Sequence, residues 1–201
     1  LERQLRSRAE PVKRGTIHAF CAELLREFGT HVGLEPGFGI ADDDYQRSVL
    51  RRLQVPPTWH GSVLARFAAY RFRGDALRPD DRMLFTRYQE FLEKRRLVDF
   101  DTLVLKTGQL LRNESVGKTV RHRWDCVLVD EFQDLNPVQY GIIQELAREH
   151  RNVFAVGDDE QSIYSWAGAD PEVFISFAND FDVKTMAQLK ENRRCPREIV
   201  A

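Results

Sequence analysis

Val127-Leu128-Val129-Asp130-Glu131-Phe132-Gln133-Asp134 decides how the rest of the chain is read. The run from Cys126 to Val129 is short, β-branched and not alternating, the pattern of a strand buried on both faces in a parallel sheet. It stops abruptly at two acids. Carboxylates at a buried strand end are costly unless a cation or a reaction uses them. In open α/β sheets, ligands bind at the carboxyl ends of the strands. Val153 to Val156 repeats the pattern and ends in Gly157-Asp158-Asp159-Glu160. Between the two, Asn136-Pro137 is an N-cap with Pro at the first helical position. Val138, Ile142, Ile143 and Leu146 then mark a helix to about His150. Strands over 126–130 and 153–157 around that helix form a parallel βαβ unit.

Downstream, Asp170-Pro171 repeats the cap-plus-Pro start of a short helix. Val183 to Leu189 reads as a third strand, and Pro196 to Ala201 as the first turn of a helix. Upstream, Pro11 breaks a basic helix, and Val12 to Gly15 reads as a short strand or loop. Thr16 caps the next helix. Ile17, Phe20, Cys21, Leu24, Leu25 and Phe28 form its apolar stripe, Gly29 ends it, and His18 falls on its exposed first turn. Residues 29–44 are Gly-rich, then acidic, and predict a loop. From Tyr45 to Arg112 the period is helical, with helices near 45–53, 61–73, 80–96 and 100–112 and no convincing strand. Asn113 to Thr119 reads as the loop that leaves this all-helical region.

The 201 residues are 42% hydrophobic and 30% charged, with formal net charge -1. That is ordinary for a soluble globular protein and lacks the overall basic field of a general nucleic-acid binder. The basic cluster is local: Arg3, Arg6, Arg8, Lys13 and Arg14 against Glu2 and Glu10. Cys21, Cys126 and Cys195 are scattered, odd in number and without metal-ligand spacing, which predicts reduced thiols and a cytoplasmic protein. No apolar run has the length of a membrane span. The chain opens Leu1-Glu2-Arg3-Gln4, without Met or signal peptide, which predicts an excised fragment.

Asp130 can reach a hard divalent cation, since Mg²⁺ takes one or two carboxylates and fills its shell with water and phosphate oxygens. Glu131 faces differently and can polarise a water as general base. The bland alternative is a pair of solvated acids. The pairing with Gly157-Asp158-Asp159-Glu160-Gln161-Ser162-Ile163-Tyr164-Ser165-Trp166 outweighs it: together the two stretches resemble motifs II and III of superfamily 1 DNA helicases of the UvrD/Rep type. Leu189 to Arg194 resembles motif IV, and Thr16-Ile17-His18-Ala19-Phe20 resembles the Thr-Phe-His motif Ib. Asp99-Phe100-Asp101 resembles the Asp-Phe-Asp-Asp-Leu segment before motif II.

The resemblance implies an α/β fold: part of a RecA-like P-loop NTPase parallel sheet with an all-helical inserted subdomain. It divides the chain into a motif Ib region of domain 1A over 1–29, a helical 1B-like insert over 30–118, the remainder of domain 1A with motifs II and III over 119–182, and the start of domain 2A over 183–201. It implies ATP and Mg²⁺ as cofactors and single-stranded and duplex DNA as partners, with 3′ to 5′ translocation. Asp130 would hold Mg²⁺ on the nucleotide phosphates, and Glu131 would activate the attacking water. Gln161 would sense the γ-phosphate, and Arg194 would reach it from the second motor domain. Arg suits that task as a planar, always charged fork, and phosphoryl transfer relies on positioning and charge neutralisation. Trp166 and Tyr164 would stack on unpaired bases, with Thr16 and His18 adding DNA contacts. Packing in the core competes as a reading for Trp166, an idle helix end for His18, and a surface ion pair for Arg194.

The chain departs from the family pattern at Arg193, where Tyr is common, at Cys195, and at Ala167, where relatives often carry a basic residue. The larger departure is an absence. No Gly-x-x-x-x-Gly-Lys-Ser/Thr phosphate loop occurs. Gly117-Lys118-Thr119 imitates only its end, without the first Gly and just before motif II. The expectation is therefore an internal slice of an ATP-dependent helicase, inactive as an ATPase when isolated. The rivals are a non-catalytic helicase-like DNA-binding module and a Mg²⁺-dependent nuclease; the latter lacks a third converging carboxylate with a Lys.

Overall fold

The computed structural model describes residues 12–158, 172–183, 185–189 and 191. Gln161, Tyr164, Trp166 and Arg194, and the helix expected from Pro196, lie outside the described residues.

Helix α1 (Ile17–Phe28) starts where Thr16 Oγ1 accepts the Ala19 N–H at 3.2 Å. A 3₁₀ turn (Gly29–Val32) leads to strand β1 (Gly39–Ala41). Helices α2 (Asp43–Arg52), α3 (His60–Arg73) and α4 (Pro79–Glu93) follow, then strand β2 (Leu97–Asp99). Helix α5 (Phe100–Arg112) leaves directly from β2, and α6 (Glu114–Arg121) follows it after one residue. Strand β3 (Val127–Val129), helix α7 (Pro137–Leu146), strand β4 (Val153–Ala155) and helix α8 (Glu172–Asp180) complete the order. The described residues thus form a helix-rich α/β protein with two small parallel sheets among them, β1–β2 and β3–β4.

Among the described residues, three apolar cores organise these elements. Helix α5 packs on α1 and α7, burying Leu24, Leu25, Leu103, Leu110, Leu111 and Ile142 in the largest core. A second lies within residues 41–92, where Val49, Leu50, Phe67, Phe85 and Tyr88 close together. The third sits under β3 and β4, with Phe132, Leu135, Tyr140 and Ile143 against Phe177 and Phe181. Helix α8 is tied to it where Tyr140 Oη and Gln144 Nε2 donate to Asp180 Oδ2 at 2.6 and 2.8 Å. The βαβ unit predicted around motif II is present in parallel register, Val127 opposite Val153 and Val129 opposite Ala155. Asn136 caps α7 with a reciprocal capping box to Gln139.

Several sequence expectations are corrected. β3 is not buried on both faces: Leu128 is 65% exposed and its register partner Phe154 61%. Only the face toward Phe132 and Ile143 is covered. The region read as helical throughout from Tyr45 contains β2, and the loop read over 29–44 contains the 3₁₀ turn and β1. These strands span three residues each, too short to print a period. They pair across a long sequence separation, Ile40 opposite Val98. Asn113 to Thr119 is not a loop but the start of α6: Asn113 closes α5 and its Oδ1 accepts from Ser115 and Val116 N–H, so one residue serves both helices. α4 stops at Glu93, and α7 at Leu146, ahead of Arg151 in the left-handed region at φ 52°. The described residues between Val183 and Leu189 form no strand.

Gly117 lies inside α6, so Gly117-Lys118-Thr119 is no phosphate-cradling loop. Its lack of a side chain has a packing reason instead: a Cβ there would lie 2.1 Å from the Leu111 carbonyl oxygen. Beside it the buried guanidinium of Arg121 reaches Glu149 at 3.1 Å and Glu145 at 3.5 Å, fastening α6 to α7.

Candidate functional site

The strand end at Asp130 is shaped by the residue that follows it. Phe132 is fully buried, and its N–H donates to the Val156 carbonyl at 2.9 Å, while Val156 N–H donates to Val129 at 2.9 Å. Those bonds pull the chain down into the core directly after the acids. Glu131 makes the turn in the left-handed region, φ 50° and ψ 48°, a conformation that costs a non-glycine residue about 1–2 kcal/mol. Such strain persists only where surrounding contacts impose it. Its result is that both acids stay exposed above a buried phenylalanine.

The two carboxylates have different surroundings. Asp130 Oδ1 accepts the Glu131 N–H at 3.0 Å. Glu131 Oε2 accepts from Gln133 Nε2 at 2.7 Å. The Gln133 carbonyl oxygen in turn accepts the Asp158 N–H at 3.1 Å, which joins the end of β3 to the segment leaving β4. Gln133 is buried, so its amide is a fixed clamp between the two segments. The sequence singled out Glu131 but not this glutamine; the signal was a polar residue two positions on, inside an otherwise apolar turn.

Asp134 is a third acid here. Burial, and then the neighbouring Glu131 charge, push its carboxyl above the usual carboxylate range. Its Oδ1 is buried without a hydrogen-bond partner. No group of three or more His, Cys, Asp or Glu side chains among the described residues forms a closed metal cage. The donor set at Asp130 and Glu131 therefore does not suit a metal held wholly by protein. It does suit Mg²⁺ held through one carboxylate, with water and phosphate oxygens supplying the rest.

Thr16 and His18 sit at the start of α1, away from these acids in sequence and on a different element. Thr16 is exposed, with its hydroxyl engaged in the cap. His18 is not on a bare first turn as the sequence suggested. It is half-buried, and its ring meets Phe100 edge-on at 5.2 Å between centroids. Burial lowers its pKa, against a smaller upward pull from Asp43. No helix among the described residues is long and apolar enough to cross a membrane.

A parallel βαβ unit whose first strand runs into an exposed acid pair defines a helix-rich α/β protein. Residues 64–182, more than half of the chain, match the UvrD/REP helicase N-terminal domain, and the chain belongs to that family. It is 33% identical over 207 residues to DNA helicase II of Escherichia coli (strain K12), a comparison covering 93% of this chain and 28% of that protein. It is 28% identical over 210 residues to ATP-dependent DNA helicase PcrA of Staphylococcus aureus (strain Mu50), covering 96% of this chain and 29% of that protein. A probable DNA helicase II homolog of Mycoplasma capricolum is 28% identical over 207 residues, covering 92% and 29%. The chain spans less than a third of the length of these relatives.

Proposed function

We propose that this chain is part of an ATP-dependent DNA helicase and carries the hydrolytic edge of its motor. The observation that carries the reading is the Asp130–Glu131 pair held above buried Phe132 and clamped by Gln133 to Asp158. In this reading Asp130 holds Mg²⁺, which when bound neutralises charge on the nucleotide phosphates. Glu131 accepts the proton of the attacking water, and Gln133 fixes which way its carboxylate faces. Gln161 and Arg194 retain their sequence-based roles at the γ-phosphate. Thr16, His18, Tyr164 and Trp166 contact single-stranded DNA, and duplex DNA is separated by translocation from 3′ to 5′.

The fold is then a partial RecA-like sheet, formed by β3 and β4, with a helical insert. The core enclosed by residues 41–92 supports placing that insert between β1 and β2, narrower than the 30–118 read from sequence. Helix α5 goes with the motor domain, because its apolar face is shared with α1 and α7.

The test is strand-stimulated ATP hydrolysis by the complete protein. Glu131→Gln should lower turnover by roughly 10²–10⁴-fold, the usual share of a general base, with nucleotide binding retained. Undiminished turnover in that variant would remove the acid pair from the mechanism. The 201 residues alone should hydrolyse no ATP, since they contain no Gly-x-x-x-x-Gly-Lys-Ser/Thr loop to cradle phosphates.

A further inference from the structure

Helices α2, α3 and α4 converge on one carboxylate. Asp99 ends β2 and caps α5, its Oδ1 accepting the Thr102 N–H at 2.9 Å. Its Oδ2 accepts from Arg71 Nη1 of α3 at 2.8 Å and from the Tyr88 hydroxyl of α4 at 3.0 Å. That hydroxyl lies 3.1 Å from Gln46 Oε1 of α2. Arg71 also donates to Asp101 Oδ2 at 3.2 Å and to Thr102 Oγ1 at 3.4 Å. The Arg71 and Asp99 side chains are only 6% and 2% exposed. A buried pair of this kind fixes geometry tightly, because displacing either partner leaves an uncompensated charge.

Phe100 stands between the two acids that Arg71 grips. Its ring is the one that meets His18 edge-on, at 5.2 Å and an interplanar angle of 64°. His18 also feels the charge of Asp43, in the first turn of α2, and Asp43 acts on Asp101 as well. His18 therefore rests against Phe100 and lies within electrostatic reach of the start of the helical region. Edge-on aromatic contacts have a preferred geometry, so a shift of residues 99–101 moves the surface on which His18 rests.

We propose that Phe100 and Arg71 are positioning residues for His18: the grip of Arg71 on Asp99 and Asp101 carries the orientation of the helical region to Phe100, and Phe100 sets the imidazole toward single-stranded DNA. This rests on the reading of His18 as a DNA contact. It assigns a task to Asp99-Phe100-Asp101, which otherwise is only a helix start. The coupling is reciprocal: DNA held at His18 favours one orientation of the helical region.

The experiment uses the complete protein and a fluorescein-labelled oligothymidylate, read by anisotropy. Phe100→Leu should weaken binding about fivefold, a fraction of one stacking contact, and Phe100→Tyr should restore it. Arg71→Lys, which keeps the charge but loses the fork, should act in the same direction. In a His18→Ala background both effects should shrink below about twofold, as coupled sites require. Equal losses in both backgrounds overturn the proposal. A second readout does not involve DNA: with ¹³C-labelled histidine, the His18 ring resonance should shift and titrate at a higher pH in Phe100→Leu. An unmoved His18 resonance overturns the positioning itself. An unchanged affinity in His18→Ala instead overturns the DNA reading on which it rests.

Discussion

Gln133 holds the Glu131 carboxylate at 2.7 Å with its amide nitrogen and the Asp158 N–H at 3.1 Å with its amide oxygen. One buried side chain thus spans the end of β3 and the segment beyond β4. Without it Glu131 loses the donor that fixes its carboxylate, and Asp158 N–H loses this acceptor. Gln133→Met should cost about 0.5–1.5 kcal/mol of stability for each hydrogen bond lost, since Glu131 and Asp158 are exposed to water. It should lower kcat more than it raises the KM for ATP. If Gln133 acts through Glu131, adding Gln133→Met to Glu131→Gln should cost little further turnover. Steady-state hydrolysis of the four proteins forms the double-mutant cycle that decides this. Independent, multiplying losses would leave Gln133 as a packing residue only.

The two acids flanking Phe100 should respond to pH in opposite senses. Burial pushes the Asp101 carboxyl up to about 6, with Arg71 opposing and Asp99 adding to the rise. Because the folded value lies above the unfolded one, Asp101 contributes stability that is complete below the ordinary carboxylate value and lost as pH rises through about 6. Asp99 lies below its ordinary value despite burial, held there by Arg71 and Thr102. Its contribution is present above the ordinary carboxylate value and lost as pH falls. Asp101→Asn should therefore gain on the parent as pH is raised from 4 to 8, by on the order of 1–2 kcal/mol. Urea melts of both proteins across that range test it. A difference that stays flat with pH would mean that Asp101 is ionised throughout.

Gly117→Ala sets two effects against each other. In the middle of an exposed helix the change gains about 1 kcal/mol. Here the new Cβ would lie 2.1 Å from the Leu111 oxygen and 2.8 Å from an Arg121 guanidinium nitrogen. Backbone cannot yield cheaply at that distance, so α6 must shift, and overpacking of this kind costs about 1–3 kcal/mol. The clash should win, with net loss of stability and a disturbed Arg121–Glu145–Glu149 cluster. Thermal melts should show a lowered midpoint. A raised midpoint would mean that the α5–α6 corner relaxes freely.

How much of this was legible in the sequence depends on how locally each feature is determined. Caps at Thr16, Asp99 and Asn136 act within three residues, and the helices they begin start where the sequence placed them. The acid pair was legible because an apolar run ends in it. β1 and β2 were not, since each is three residues long and exists only by pairing with the other. α6 was hidden by Gly117 and by Asn113 serving two helices at once. His18 was placed correctly on its helix but not in its surroundings. Phe100 is remote in sequence, and no local pattern announces a ring contact across that separation. The Gln133 clamp was missed for a related reason: its second partner, Asp158, belongs to another strand's end.

Trp166 carries the stacking part of the DNA reading, and its test must separate it from the other two tryptophans. Trp59 is 60% exposed on the 3₁₀ turn before α3. Trp124 is partly buried against Phe20, with ring centroids 5.5 Å apart. Trp59 emission is therefore red-shifted by water, and Trp124 emission is less accessible to a ligand. If Trp166 stacks on a base, oligothymidylate should quench the remaining component, and Trp166→Phe should abolish most of that change. Trp166→Ala should weaken binding by roughly 1–3 kcal/mol, the worth of one base stacked on an aromatic ring. High salt should weaken parent and variant alike, because phosphate contacts rather than stacking set the salt dependence. Quenching that survives Trp166→Phe would move the signal to Trp59 and place DNA on the helical region instead.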